Sequence, residues 1–245
     1  MIGAEGPSTR RRGSVIRDAV IRAADRPLRE VNAEIRDAVQ DGLHVHVTEP
    51  LSRHNLGVAL PAGGAVTFDG SVGYYCGGLN NGATITVTRN AGWGLGEAMA
   101  SGLITVDGDA AMSVGASLRG GTIHVRGDAG PRCGIAMKGG MIVVEGSVGH
   151  ACGFMAHGGK VICLGNTADA AGDSLWQGEI WVAGTIRGLG VDARVEEPPA
   201  DEVADVREVL ARLKISDQGR AWKRIVSGQA LWHFESRDAQ QWLMI

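Results

Sequence analysis

Two neighbouring segments of this chain align residue for residue: Gly121-Thr-Ile-His-Val-Arg-Gly-Asp-Ala-Gly-Pro-Arg-Cys-Gly134 and Gly140-Met-Ile-Val-Val-Glu-Gly-Ser-Val-Gly-His-Ala-Cys-Gly153. Each begins with apolar residues two apart, the period at which side chains share one face of a β-strand. Steps of nineteen residues in both directions extend this apolar pair to seven copies: Val66/Phe68, Ile85/Val87, Ile104/Val106, Ile123/Val125, Ile142/Val144, Val161/Cys163 and Ile180/Val182. Seven copies in register predict a repeat protein.

Glycine recurs at a fixed place in these repeats. One column is strict: Gly77, Gly96, Gly115, Gly134, Gly153 and Gly172. A glycine at the same corner of every repeat indicates a positive φ or a close backbone approach that excludes a side chain. The 38 glycines accompany 44% hydrophobic residues, a combination that a flexible linker lacks.

Two further columns are apolar and are predicted to face inward. They are Cys76, Leu95, Val114, Cys133, Cys152, Ala171 and Asn80, Met99, Leu118, Met137, Ala156, Leu175, in which Asn80 is the polar exception. Nineteen residues are too few for a helical repeat but suit one coil whose strand pairs with its copy in the next coil. The sequence therefore predicts an all-β fold, a right-handed single-stranded parallel β-helix of about seven 19-residue coils over residues 43–195.

The outward face of the main strand changes character along the repeat. Its residues are Thr67, Thr86, Thr105, His124, Val143, Ile162 and Trp181. Threonines suit a solvated strand face, whereas three successive apolar residues would form an exposed stripe that soluble proteins avoid. We expect the late coils to be covered, either by the C-terminal segment of the chain or by a partner.

Residues 1–42 are predicted to form an N-terminal helical extension that caps one open end of the β-helix. Residues 16–39 carry apolar residues at helical spacing among charged ones, and Gly42 is placed to stop a helix. Residues 43–60 are expected to form an imperfect first coil.

Residues 196–245 are predicted to form a C-terminal helical and aromatic extension. An acidic, proline-containing linker at 196–200 leads into a predicted helix at 203–213, and a second helix is predicted at 218–226. The chain ends in an aromatic segment that holds Trp232, Phe234 and Trp242. These three aromatic residues, together with Trp222, are candidates to cover the apolar outward stripe.

Composition excludes several classes of protein. A net charge of −3 gives no basic surface for nucleic acid, and no window approaches eighteen consecutive apolar residues. The four cysteines lack CxxC spacing, which argues against a zinc site or a secreted disulfide scaffold. The arginine run at 10–12 is followed by charged residues, unlike an export signal. A cytoplasmic protein is expected.

Side chains capable of chemistry are present but do not converge in the pattern. Cys133 and Cys152 should be neighbours on adjacent coils, yet their column also holds residues that bind no metal, so core packing is expected. His44 and His46 share a strand face, and His150 and His157 flank one turn, but a metal site usually needs three or four converging ligands. Glu97 and Asp173 occupy corners, where a carboxylate ordinarily faces solvent.

The segment Gly92-Trp93-Gly94-Leu95-Gly96 matches GxGxG, but a dinucleotide-binding loop requires a helix after it, and another β coil follows here. The residues therefore predict no catalytic, cofactor-binding or metal-ligating position.

The coil pattern with its glycine corners resembles the GXGXG β-helix family. The stretches that carry the resemblance are Gly73-Tyr-Tyr-Cys-Gly-Gly-Leu-Asn80, Asn90-Ala-Gly-Trp-Gly-Leu-Gly-Glu97, Arg132-Cys-Gly-Ile-Ala-Met-Lys138, Gly146-Ser-Val-Gly-His150 and Gly172-Asp-Ser-Leu175. The family comprises the C-terminal domain of glutamate synthase large subunits, the β-helix subunit of formylmethanofuran dehydrogenases and a free-standing subunit of N-methylglutamate synthases, which this chain resembles most.

The resemblance implies a non-catalytic structural subunit of a glutamate-synthase-like hetero-oligomer of the N-methylglutamate synthase type. A glutamine-amidotransferase-like subunit and an FMN-binding synthase subunit would be its partners. FMN and an iron–sulfur cluster would belong to the latter, with no cofactor in this chain. Two alternatives stay open: the β-helix subunit of a formylmethanofuran dehydrogenase or a related formyltransferase–hydrolase complex, and a self-contained β-helix enzyme such as a polysaccharide-active protein.

Overall fold

The computed structural model describes residues 18–230. In chain order the elements are β1 (Asp18–Arg22), α1 (Leu28–Gln40), β2 (His44–Thr48), β3 (Ala65–Asp69), β4 (Asn81–Val87), β5 (Ser101–Val106), β6 (Thr122–Val125), β7 (Lys138–Val144), β8 (Gly158–Cys163), β9 (Glu179–Val182), β10 (Ala193–Glu196), α2 (Ala200–Arg212) and β11 (Lys223–Ser227). Within this described range, neither helix is long and apolar enough to cross a membrane.

The strands form one sheet that follows the repeat. Its order is β1-β2-β3-β4-β5-β6-β7-β8-β9-β11-β10, and each strand from β1 to β8 pairs in parallel with the next. Strands β3 to β9 are the seven predicted copies, paired nineteen residues apart, as in Ile104 with Ile123. Their inward apolar pairs are at most 1% exposed. The predicted parallel β-solenoid of about seven turns is confirmed.

The glycine corners combine a positive φ with a close approach that excludes a side chain, the two alternatives that the sequence left open. The six glycines of the strict column have φ between +62° and +73°. A Cβ atom on Gly77 would also lie 2.7 Å from Cδ1 of Ile104. Left-handed backbone continues on both sides of the glycine, at Tyr75 (φ +62°) and Leu79 (φ +58°), which the sequence did not predict.

Hydrogen bonds between coils explain this alternating backbone. The N–H groups of Tyr75 and Leu79 donate to carbonyl oxygens of the following coil, at Trp93 and Glu97, over 2.8 Å each. The N–H group of Gly77 donates in the opposite direction, to the preceding coil. Because these N–H groups point alternately to the following and the preceding coil, the corner forms its backbone hydrogen bonds without a regular strand.

A second corner is held by a column of short polar side chains: Ser71, Asn90, Asp109, Asp128, Ser147 and Asn166. Each side-chain oxygen accepts the backbone N–H group of the residue nineteen positions later, at 2.7–3.3 Å. This column was not predicted from the sequence. Its members share a short side chain that can accept a hydrogen bond. Their oxygens therefore satisfy backbone N–H groups that have no carbonyl partner at the turn.

The two further columns predicted to face inward are buried throughout, with no member more than 2% exposed. The polar exception, Asn80, is 0% exposed, and its Nδ2 atom donates to the carbonyl oxygens of Ala83 and Ser101 at 2.9 and 3.1 Å. The amide therefore supplies two hydrogen bonds to backbone carbonyls near the start of two adjacent strands.

The N-terminal segment caps the solenoid with a helix and a strand. Helix α1 buries Val31, Ile35 and Val39 in the same core as the coils. Asn32 fixes the helix to the first coil: its Nδ2 atom donates to the carbonyl of Asn55 at 2.7 Å, and its Oδ1 atom accepts the N–H group of Gly57 at 2.8 Å. The predicted helix over 16–39 is wrong in its first part, because residues 18–22 form β1 and pair with β2.

The C-terminal segment covers the late coils. Helix α2 lies over the outward side chains Val143, Ile162 and Trp181, each 0% exposed, and packs Val206 and Leu210 against them in a separate apolar cluster that also includes Trp222. The outward threonines of the early coils remain half-buried. The predicted change from a polar to a covered face is confirmed. Trp232, Phe234 and Trp242 lie outside the described residues.

The second predicted C-terminal helix, over 218–226, is wrong. Residues 223–227 form β11, which pairs antiparallel with β9 on one side and with β10 on the other. Ile225 points into the core, 0% exposed, while Arg224 faces outward towards Glu196 and Glu202. The free edge of β9 supplies the hydrogen bonds that favour a strand here.

Candidate functional site

A groove of about 800 Å³ crosses the first coils at one corner of the solenoid. Residues of three successive coils line it, among them Ser52, His54, Ser71, Tyr74, Asn90 and Trp93. Tyr74 and Trp93 are 44% and 59% exposed. Two exposed aromatic side chains beside a concave surface are typical of a binding site.

The repeat itself brings the two aromatic residues together. Tyr74 and Trp93 are nineteen residues apart and so occupy the same position on adjacent coils. The backbone beneath them is tied by hydrogen bonds from Gly73 N–H to the carbonyl of Arg53 and from Gly92 N–H to the carbonyl of Val72, both 2.9 Å. The coils therefore fix the backbone positions from which the two rings extend.

The polar residues of the groove support its walls. The Nδ1 atom of His54 accepts the N–H group of Tyr74 at 2.9 Å, and the two rings meet edge to face with centroids 6.4 Å apart. The Ser71 hydroxyl accepts the N–H group of Asn90. Both side chains are thus engaged by the backbone, and the groove can bind an apolar or aromatic group with hydrogen-bonding atoms at its rim.

The two corner carboxylates singled out in the sequence are far apart. Glu97 and Asp173 occupy the same column four coils apart, which at the strand spacing is about 19 Å. Glu97 lies near Tyr75, whose pKa is raised by burial and, to a smaller extent, by this carboxylate. Asp173 accepts a hydrogen bond from the Ser174 hydroxyl at 2.8 Å. The structure does not bring them together as an acid–base pair.

The four cysteines are buried and carry no disulfide. The pKa of Cys152 is raised well above its usual value by a hydrogen bond with Cys133 and by burial. Burial also raises the pKa of Cys163 to about 12, and its thiol donates to the carbonyl of Gly146 at 3.4 Å. A thiol that solvent cannot reach is a poor nucleophile and metal ligand, and a buried free cysteine packs as a small apolar side chain.

The remaining sequence candidates are separate from the groove or form part of its wall. His44 and His46 lie on the outward face of β2 with ring centroids 4.3 Å apart, and His150 and His157 are exposed at corners. The GxGxG segment is a coil corner, where Gly94 and Gly96 both have φ of +64°, and the next element is the strand β5.

The groove was not predicted from the sequence. The available signal was the register of Tyr74 and Trp93, which repeats every nineteen residues with the glycine corners. His54 gave no signal, because it belongs to the imperfect first coil. Its offset to the next coil is twenty residues at His54 and Tyr74 and twenty-one between β2 and β3, instead of nineteen.

A search of known proteins found a partial similarity. Protein GlxC of Rhizobium meliloti (strain 1021) is 39% identical over 67 residues, which are 26% of this chain and 29% of GlxC. The matched part of the chain spans less than a third of that relative. No protein-family model matches the sequence.

Proposed function

We propose that this chain is a non-catalytic structural subunit of a glutamate-synthase-like multi-subunit enzyme of the N-methylglutamate synthase type. It braces a glutamine-amidotransferase-like subunit and an FMN-binding synthase subunit. FMN and the iron–sulfur cluster belong to the partner. The resemblance to the GXGXG β-helix family and the partial similarity to protein GlxC support the choice of enzyme class.

The observation that carries the structural role is the aromatic groove on a stiff rod. Tyrosine and tryptophan are the side chains that dominate protein–protein binding energy, above all where they are held rigidly at the centre of a contact. Tyr74 and Trp93 are exposed on adjacent coils, next to the groove. A subunit that docks there has its distance and orientation fixed by the stacked coils.

Rigid positioning has a chemical purpose in an enzyme of this class. If a small intermediate such as ammonia must pass between two active sites, a displacement of about 1 Å can lower the rate about a hundredfold. A solenoid, in which each coil is bonded to both neighbours, resists such displacement. The subunit thus contributes to catalysis without contacting the substrate.

The test is purification of the tagged full-length chain from its own cells, with the co-purifying proteins identified by mass spectrometry and FMN and iron quantified. The variant with Tyr74→Ala and Trp93→Ala should lose the partner at least about thirtyfold in affinity, since a hot-spot aromatic contributes about 2 kcal/mol or more. Met155→Ala is the matched control: it truncates a 47% exposed apolar residue at a corner farther along the rod and should retain the partner.

Other outcomes would overturn the proposal. A purified chain that turns over substrate unaided, or that binds FMN stoichiometrically, would show that it has an active site of its own. Co-purification of a metallohydrolase and a formyltransferase would assign it to a formylmethanofuran-type complex.

A further inference from the structure

The edge of the sheet carries a cluster of three side chains that can ligate a metal ion. Asp18 of β1 and His44 and His46 of β2 each offer a ligand atom, and the three atoms lie within 4.8 Å of one another. Parallel pairing causes this, because it sets Asp18 directly beside His44, and His46 follows two residues later on the same face. We propose that this cluster binds a divalent metal ion of the zinc type, which fastens the edge strand β1 to the first coil.

The orientation of His44 favours ligation through its Nδ1 atom. This atom lies 3.8 Å from an Oδ1 oxygen of Asp18, while the Nε2 atom of the same ring is 2.8 Å from the Thr67 hydroxyl. Metal-binding histidines usually donate their second ring N–H group to a polar neighbour, which fixes the tautomer and the ring plane. Thr67, on β3, is such a neighbour.

His46 is available as the second nitrogen ligand. Its ring lies 4.3 Å from that of His44, tilted by 38°. Within residues 18–230 its ring nitrogens make no hydrogen bond to another side chain or to the backbone. Asp18 is accessible, with its side chain 62% exposed, and can rotate towards the two rings.

The chemistry of the ligands selects the class of ion. Two imidazoles and one carboxylate suit Zn²⁺ or its borderline neighbours Co²⁺ and Ni²⁺, with water in the remaining position. Tetrahedral ligation at about 2.0–2.1 Å requires ligand atoms about 3.3 Å apart, so closure from the observed spacing takes side-chain rotation only.

The consequence concerns β1, which pairs with β2 on one side and forms one edge of the sheet. A bound ion would join β1 to β2 through side chains as well as through the backbone. Because the ion binds only when the two strands are paired, it must oppose local opening of β1 by the factor 1 + [metal]/Kd.

The test uses the full-length, untagged chain freed of metal. Calorimetric titration with Zn²⁺ should show one ion per chain with Kd at or below about 10 µM, and Co²⁺ should give the visible absorption of a tetrahedral site. Asp18→Asn, His44→Ala and His46→Ala should each weaken binding at least about tenfold. His157→Ala, which removes an exposed histidine elsewhere, should change Kd less than about twofold.

Hydrogen exchange supplies a readout independent of affinity. With free Zn²⁺ at about a hundred times Kd, exchange of the β1 amides should slow about a hundredfold, while amides of β5 to β8 keep their rates, which also verifies that each variant is folded. Four results would each overturn the proposal. They are the absence of saturable Zn²⁺ binding, binding that survives in both histidine variants, an unchanged Kd in Asp18→Asn, and unchanged exchange of the β1 amides in the presence of metal.

Discussion

Replacement of Gly153 by alanine tests the corner geometry directly. Gly153 has φ of +70°, and a Cβ atom there would lie 2.7 Å from Cδ1 and 3.1 Å from Cγ1 of Ile180. Ile180 is on β9 and 1% exposed, so it has little room to move away. The substitution adds one methyl group and removes no hydrogen bond.

The expected loss has two parts. A left-handed backbone at an alanine costs about 1–2 kcal/mol relative to glycine. Forcing a methyl group into a filled core costs about 1–3 kcal/mol more. We therefore expect G153A to lower the free energy of unfolding by about 2–5 kcal/mol.

A second substitution separates the two parts. Ile180→Val removes Cδ1, the atom with the closest contact, and should by itself cost about 0.5–1.5 kcal/mol. In the G153A background the same truncation relieves the clash, so it should cost nothing or stabilise the protein. The coupling free energy between the two sites should be about 1–2 kcal/mol, and the backbone cost should remain.

Denaturant unfolding of the four proteins measures these terms. Because each coil of a solenoid contacts only its neighbours, amide exchange in β8 and β9 should report the loss locally as well. Coupling below about 0.5 kcal/mol would refute the steric argument, and a G153A protein as stable as the parent would refute both parts.

Three further predictions concern other parts of the fold. Cys133→Ser should lower stability by about 1–3 kcal/mol, because the new hydroxyl is buried without good partners, and should leave the activity of any complex intact; loss of a bound metal from this variant would contradict the packing role. Leu210→Ala should lower the free energy of unfolding by about 2–5 kcal/mol and shift tryptophan emission to the red as Trp181 becomes accessible to water. Unchanged emission would mean that α2 does not form the cover. Asp217 accepts hydrogen bonds from Arg207, Trp222 and the Gly219 N–H group, and the Arg207 bond is the main cause that lowers its pKa to about 2. Since the pKa is lowered on folding from about 3.9, the stabilisation is present above about pH 4 and lost as pH falls through about 2. Asp217→Asn should therefore reduce the free energy of unfolding by about 1–2 kcal/mol at about pH 7. The reduction should be much smaller at about pH 2, where about half of the Asp217 carboxylates are protonated. Denaturant titrations measure both, and an equal effect at both pH values would show that charge is not the cause.

The repeat was predictable because its causes are local. An inward pair such as Ile123 and Val125 follows from burial on one face of a strand, and a glycine such as Gly134 from a backbone that a side chain cannot adopt. The apolar pair and the corner glycine therefore recur at the same positions in every coil. The cover over Val143, Ile162 and Trp181 was predictable for a related reason, since an apolar outward face requires burial.

The misplaced elements have causes elsewhere in the chain. Strand β1 has one buried residue, Ile21, and one prominently exposed apolar residue, Val20, so five residues give no clear period. What fixes it as a strand is the edge of β2. Strand β11 likewise depends on the edge of β9, which is invisible from residues 223–227 alone.

The groove and the Asp18–His44–His46 cluster were harder to predict than the fold, because they too depend on residues that are distant in the chain. The positive φ of Tyr75 is imposed by its hydrogen bond to the next coil, and no property of tyrosine signals it. The cluster of Asp18 with His44 could not be foreseen while residues 16–39 were read as a helix, because the third ligand was then on the wrong element.

The location of the cover bears on where a partner can bind. The apolar part of the outward strand face is taken up by α2 and Trp222 from the same chain, so it presents no docking surface. Within residues 18–230, the large apolar side chains that stay exposed on the coils lie outside the parallel strands: Leu51, Tyr74, Leu79, Trp93, Met155, Leu189 and Val191. Of these, Tyr74 and Trp93 also line the groove, on backbone bonded to both neighbouring coils. Aromatic side chains have few rotatable bonds, so on a backbone fixed by hydrogen bonds they lose little conformational entropy when a partner binds; under the proposed function this corner is therefore the strongest candidate for the contact.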